Sequence, residues 1–405
     1  MRLNKEEIIK FVKDNNIKSV NLSFCDIYGR EKNIVIMPEK LSGAFEHGIA
    51  CNISEVKNFG EGIYRNVLLH PEYETFSDMP WKEENDRAVR LFCSMTYADG
   101  TPFDRRGTKS LLKKAIAAAD EEGYEFFFLC ELEFYLFKLD ENGKPTKEPY
   151  DEASLFDIPP EDKCETVRRK ICLALEKMGV FPNNTFHEAG PGQNKITFSY
   201  TDPLTAGNNI TTLKAVIKNE AANCGLYADF SPKPLADKPG NGFHIGISVR
   251  ANDGNNANTA FALSGMMDKI CEMTAFLNPF DKSYKRIGKL GAPIYVSWTS
   301  ENREQLFCVP ETVGKYRLVK LRSSDSTVNP YLAFALLIYA SLDGIKKQTE
   351  IPPVSNFDFD TADESVVSGY KKLPASFEEA RSLAMNSEFI KEYVPDDLIK
   401  MYLKL

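Results

Sequence analysis

Two glutamates two positions apart, in the run Cys130-Glu131-Leu132-Glu133-Phe134-Tyr135, sit inside a segment from Tyr124 to Phe137 that is otherwise mostly aromatic and aliphatic. In extended backbone, residues i and i+2 point to the same face, so both carboxylates project together from one side of an apolar strand. Like charges at that spacing repel. The fold must therefore supply a cation: a divalent metal held by hard oxygen ligands, or a lysine or arginine, unless one acid stays protonated. The alternative without chemistry is a two-sided edge strand with one wet face.

The rest of the chain suits a buried strand of this kind. Its 405 residues are 43% apolar and 27% charged, enough for a large core and for two or three domains. The formal net charge of −8 and the lack of any basic run argue against nucleic acid or an anionic membrane as partner. The first residues are charged and read as the start of an amphipathic helix, unlike a secretory signal. No run approaches the roughly 18 apolar residues of a membrane-spanning helix. Nine scattered cysteines without a CxxC pair read as reduced residues of a cytoplasmic protein, and four histidines are too few for a multi-histidine metal site.

Strand-like pieces near 19–24 and 33–37 and a helix over 5–15 precede a stretch rich in Gly, Pro and Asp, Tyr97 to Gly107, which is the best boundary. Beyond it, helical periodicity is expected over 108–122, 161–178, 212–224, 258–277 and 329–347. The last two should pack the sheet from outside. Strands are expected near 195–200 and 240–249, and Ser376 with Glu379 forms a capping box opening a last helix. Strands mixed with segregated helices make the class α+β.

Four further segments are more polar than a core requires. In His187-Glu188-Ala189-Gly190-Pro191-Gly192-Gln193-Asn194-Lys195, glycines allow close backbone approach and Glu188 can join the acidic strand. In Gly240-Asn241-Gly242-Phe243-His244-Ile245-Gly246-Ile247-Ser248, the residues His244, Gly246 and Ser248 share a face; a lone strand histidine is also commonly just hydrogen-bonded in place. The stretches holding Ser283-Tyr284-Lys285-Arg286, Asn302-Arg303 and Lys315 to Arg322 carry Arg286, Arg303 and Arg322, each able to clamp a carboxylate or phosphate, or simply to face solvent.

In this order, together with Phe24-Cys25-Asp26-Ile27-Tyr28-Gly29, Asp104-Arg105-Arg106-Gly107 and Asn329-Pro330-Tyr331-Leu332, the segments resemble the glutamine synthetase family over most of the chain. The resemblance implies a small N-terminal β-grasp-like domain (1–100) and a large glutamine-synthetase-type catalytic domain (101–405). The latter carries a curved antiparallel sheet flanked by helices. It implies ATP-dependent joining of a glutamate carboxylate to ammonia or an amine, with Mg2+ and ATP as cofactors, and a homo-oligomeric ring such as a dodecamer. The partner so implied is a small amino-acid or carboxylate substrate. Carried over residue by residue, Glu131, Glu133, Glu188 and His244 match metal ligands. Arg286, Arg303 and Arg322 match catalytic and substrate-binding positions, Gly240 a substrate-binding one, and Ser248, Lys315 and Arg317 nucleotide-binding ones.

The chain also departs from that pattern. Two metal-ligand glutamates of the family are here Lys195 and Lys320. Two carboxylates exchanged for two ammoniums move the local charge by as much as two divalent cations would supply, so the lysines are expected to occupy the metal positions and to dispense with the cofactor. The flap base is Gly291, the ammonium-binding aspartate is Asn52, and two arginines and a histidine on the nucleotide side are Leu318, Cys308 and Gly246. Three functions follow as expectations: a ligase impaired or altered in glutamine synthesis; a catalytically inactive pseudoenzyme that forms rings and binds an amino acid or a regulatory partner; and, least supported, an unrelated metal hydrolase.

Overall fold

The computed structural model describes residues 3–57, 59–82, 84–252, 258–301, 304–309 and 318–404. Two sheets organise them. The N-terminal sheet runs Glu31–Ile36, Ser19–Cys25, Ala88–Tyr97, Val67–Pro71, Ile49–Cys51, with Ser77–Asp78 added to Ala88–Tyr97. Its Ser19–Cys25 and Ala88–Tyr97 strands are parallel and the other pairings are antiparallel. The second sheet runs Trp298–Thr299, Phe307–Cys308, Val319–Leu321, Phe243–Ala251, Tyr124–Leu139, Gln193–Phe198, Pro182–His187. It is antiparallel, as expected, apart from one short parallel pair at its edge, Trp298–Thr299 with Phe307–Cys308.

The long strand Tyr124–Leu139 is the spine of the second sheet, and its pleat explains the sequence pattern. Phe126, Phe128, Cys130, Leu132 and Phe134 are buried and alternate with the face that carries Glu131 and Glu133. Helices Thr108–Glu121, Pro203–Asn223 and Pro330–Lys347 cover the apolar face, where Phe128 stacks on Phe334 with ring centroids 4.3 Å apart. Pro330–Lys347 packs on the sheet as expected and sits in the middle of the helical layer; it is buried nearly all round, which its continuous apolar sequence requires. Its N-cap Asn329 accepts from Tyr331 N (3.0 Å) and donates to Ile27 O (2.7 Å) and Thr108 Oγ1 (3.0 Å), so the Asn-Pro-Tyr-Leu motif ties the N-terminal sheet to the catalytic layer.

Two boundaries differ from expectation. The helix expected from Thr212 begins at Pro203, capped by Asp202. Ser376 does cap Phe377–Asn386, but Glu379 accepts from Ala375 N, and two more helices follow at Glu388–Tyr393 and Asp396–Tyr402. All nine cysteines are free thiols. Among the described residues no helix is long and apolar enough to cross a membrane.

Helices Thr259–Leu277 and Pro330–Lys347 cross at Gly265 and Gly344. A Cβ on Gly265 would lie 2.2 Å from Ala340 O and 2.7 Å from Gly344 Cα. In an open helix, Gly→Ala stabilises by roughly 0.5–1 kcal/mol. Here the backbones cannot part without disturbing a packed core, and overpacking costs about 1–3 kcal/mol. Gly265→Ala should therefore lower the urea midpoint.

Candidate functional site

Register places the candidate residues before any side-chain contact is considered. Across the antiparallel ladders Glu133 lies opposite Lys195, Glu131 opposite His244, and Gly246 opposite Lys320. Directly opposed side chains share a face with Cβ atoms about 5 Å apart. Four neighbouring strands thus deliver two acids, two lysines and one histidine to the same side of the sheet.

The Lys195 ammonium is the hub. It lies 2.5 Å from Glu188 Oε1, 3.0 Å from Glu133 Oε1 and 3.8 Å from Glu131 Oε2, with its side chain 10% exposed. Lys320 Nζ, with a side chain 27% exposed, takes the other Glu131 oxygen at 2.5 Å. Glu131 Oε2 also faces His244 Nδ1 at 3.2 Å, and Glu133 Oε2 accepts from Gly242 N at 2.6 Å. Every oxygen of the paired glutamates is thereby committed to a donor within the chain.

Burial alone would push these carboxyls up. For Glu131 the His244 hydrogen bond, with the Lys320 and Lys195 charges, outweighs it and holds the group well below the usual range. Lys195, the Gly242 N–H and Arg286 do the same for Glu133. Glu188 is the exception: burial and the nearby Glu133 charge raise it despite Lys195. Burial would lower Lys195, but Glu133, Glu188 and Glu131 outweigh it, so the ammonium is retained. His244 is depressed to about 4 by burial, with Lys195 adding to that, so it is neutral at neutral pH. Three carboxylates against two ammoniums leave one unit of negative charge, and Arg286 lies close enough to act on Glu133.

Glu188 sits at the end of Pro182–His187 in a loop braced from below. His187 Nδ1 faces Glu188 O at 2.7 Å and its Nε2 faces Asp151 Oδ1 at 2.9 Å. Both partners are acceptors, so both ring nitrogens donate and the ring is an imidazolium. Its pKa is raised because Asp151 overcomes burial. Asp151 Oδ1 also accepts from Gly192 N at 2.9 Å, which fixes the far end of the loop. Asp151, Asp162, Cys164 and His187 would pass as a metal-binding set by residue type. However, Arg168 spans Asp162 at 3.1 and 2.5 Å and also reaches Asn194 Oδ1 at 2.6 Å, so the cluster is a buried ion-pair scaffold. Sequence reasoning missed it; Asp151 is 36 residues from His187 and no local spacing joins them.

The other expected residues divide. Arg286 is buried and donates to Ser323 O (2.9 Å) and Arg322 O (3.2 Å). Gly240 makes room for it, since a Cβ there would meet Arg286 Cγ at 2.9 Å. Arg322 Nη2 reaches Gly291 O at 3.5 Å, beside the same cluster. Ser248 is buried on the His244 strand, opposite Phe127 and four residues beyond His244. Arg303, Lys315 and Arg317 lie outside the described residues.

Two of the substitutions account for each other. A Cβ on Gly246 would lie 2.7 Å from Leu318 Cδ1 and 3.1 Å from Leu129 Cβ. The leucine where the resemblance implies an arginine fills the space where it implies a histidine, so hydrocarbon packs this part of the sheet face. Cys308 is likewise buried, its Sγ 3.2 Å from Glu301 O, and burial raises its thiol pKa.

A divalent ion fits this arrangement poorly. It would need oxygens already bound to ammonium groups. At 4 Å from a lysine it would also meet a repulsion on the order of 8 kcal/mol at an effective dielectric constant of 20.

Comparison with known proteins agrees with this layout. Residues 16–98 match the family described as glutamine synthetase, beta-grasp domain, and residues 105–405 match glutamine synthetase, catalytic domain. The glutamine synthetase of Clostridium saccharobutylicum is 37% identical over 413 residues, covering 98% of this chain and 93% of that protein. That of Methanosarcina mazei is 35% identical over 414 residues, covering 98% and 92%. A solved GmaS/ADP complex superposes with a TM-score of 0.87 at 22% identity, covering 98% of this chain and 94% of that one, which is a likeness of fold.

Proposed function

This chain belongs to the glutamine synthetase family, and from that premise we propose that it is a metal-free member that no longer makes glutamine. It keeps the assembly and the carboxylate-binding side for recognition of a small amino acid. The observation that carries this reading is the Lys195 ammonium, within 4.0 Å of Glu131, Glu133 and Glu188, with Lys320 on the remaining Glu131 oxygen. The two lysines stand at positions where the family has metal-ligating glutamates. They perform the charge neutralisation that divalent ions perform in phosphoryl transfer, but they cannot bridge a nucleotide.

Loss is concentrated on metal, nucleotide and ammonium, at Lys195, Lys320, Gly246, Leu318, Gly291 and Asn52. Arg286, Arg322 and Gly240 remain, and they suit a carboxylate. The free thiols support a reducing compartment such as the cytoplasm, and the family's ring is the expected assembly. Mg2+ and ATP are the family's cofactors and are not needed for the role proposed.

Calorimetry with Mg-ATP, run beside a glutamine-forming assay, tests the reading. No saturable Mg-ATP heat and no glutamine are expected. Tight Mg-ATP binding, or glutamine formation at a rate typical of enzymes, would overturn it in favour of a working ligase.

A further inference from the structure

The polar face of the N-terminal sheet, where Asn21 lies opposite Arg90, meets helix Pro203–Asn223 across a cavity of about 570 Å³. Its charged lining is Arg30, Lys32, Arg90, Lys214 and Lys218 against Glu31 alone, five cations to one acid and so a net charge of +4, in a chain whose total is −8. Glu31 is already engaged by Arg90 at 3.5 Å, and Arg90 Nη2 donates to Thr212 Oγ1 at 2.7 Å. Among the described residues none of the other four cations is in an ion pair.

Those four crowd one another. Burial pushes the Lys214 ammonium down to about 8, with Lys218 adding to that, while burial, Arg30 and Lys32 depress Lys218. Like charges gathered without a counterion destabilise the empty chain, so an anion is the natural complement. The lysines also have donors to spare: Lys214 Nζ carries three hydrogens and gives one to Val328 O at 3.1 Å. Arg30 lies 5.6 Å over the Tyr28 ring and Lys218 lies 5.8 Å over Phe230, so two of the cavity's rings serve the protein's own cations.

We propose that this cavity binds a small anion carrying two phosphoryl groups. Each such group bears about −1.5 to −2 near neutral pH, so two of them match the four unpaired cations where one does not. A carboxylate carries a single charge, and matching the same cluster would take four. The phosphoryl oxygens accept from Lys214, Lys218, Arg30 and Lys32 in charge-assisted bonds. The inference does not depend on loss of the ligase reaction, since none of these residues belongs to the Lys195 cluster.

The test is calorimetric titration of the full chain with sodium pyrophosphate in metal-free buffer, beside tricarballylate as a polycarboxylate. Saturable pyrophosphate binding that weakens with added salt is expected, with tricarballylate weaker by about tenfold or more. The paired variant Arg30→Gln with Lys218→Gln changes two exposed side chains and should weaken pyrophosphate binding by about tenfold or more. The same variant separates this heat from any at the Lys195 cluster. Thermal melting of the unliganded variant, expected to be no lower than the parent's because repulsion is relieved, shows that it folds. Absence of saturable pyrophosphate binding, equal binding of tricarballylate, or unchanged affinity in the variant would each overturn the proposal.

Discussion

Lys195→Met should destabilise the chain by roughly 3–5 kcal/mol at neutral pH, the cost of removing one partner from a buried ion cluster. Methionine matches the lysine stem in volume, so the loss is the ammonium and not packing. Without it Glu133, Glu188 and Glu131, which all lie within 4.0 Å of Lys195 Nζ, confront one another with Lys320 and Arg286 as the nearby cations among the described residues. The pH dependence separates this from a generic defect. In the parent, Glu131 and Glu133 are held below their usual pKa. Their contribution is present above the unfolded carboxylate pKa and is lost as pH falls through the folded one. In the variant the crowded carboxyls are raised instead, so the deficit is largest at neutral pH and shrinks on acidification as one of them protonates above the usual carboxylate range. Urea unfolding of both proteins across that window reads the difference. A deficit independent of pH would mean that Lys195 serves packing. Lys320→Met should cost less, because its side chain is 27% exposed against 10% for Lys195.

Much of this arrangement was legible in the sequence because strand geometry is rigid. The alternation around Glu131 and Glu133 dictates a shared face, and the antiparallel register then brings Lys195, His244 and Lys320 to it. What escaped were effects that only packing decides. The helix expected from Thr212 starts at Pro203 and runs through Gly207; a Cβ at Gly207 would lie 2.7 Å from Tyr331 Cε1, so the glycine serves close approach. Gly246 and Leu318 read as two separate losses but are one compensated change. The His187, Asp151 and Arg168 scaffold carries no motif, because His187 meets Asp151 across 36 residues and Arg168 meets Asn194 across 26.

Restoring carboxylates at both lysines, Lys195→Glu with Lys320→Glu, should create a protein whose stability depends on divalent metal. The change gathers five carboxylates beside His244, a set of hard oxygen ligands with both lysine ammoniums removed. Without metal the variant should be strongly destabilised, and a chelator should hold it there. With Mg2+ or Mn2+ at about a hundred times its dissociation constant, binding returns about 2.7 kcal/mol, seen as a rise in melting temperature that the parent does not show. Gly291→Glu need not be added, since φ there is +83° and its Cβ would meet Glu304 at 3.0 Å, so that replacement would be strained and crowded. Metal binding alone should not bring back the nucleotide. Leu318 fills the space at Gly246, so Mg-ATP affinity should recover only when Gly246→His and Leu318→Arg are introduced together on the metal-binding background. Gly246→His by itself would force the new ring against Leu318 Cδ1, 2.7 Å from its Cβ, and should destabilise the chain. If the double glutamate variant gains no metal-dependent stability, the lysines do not stand in the places of ions and the metal-mimic account fails.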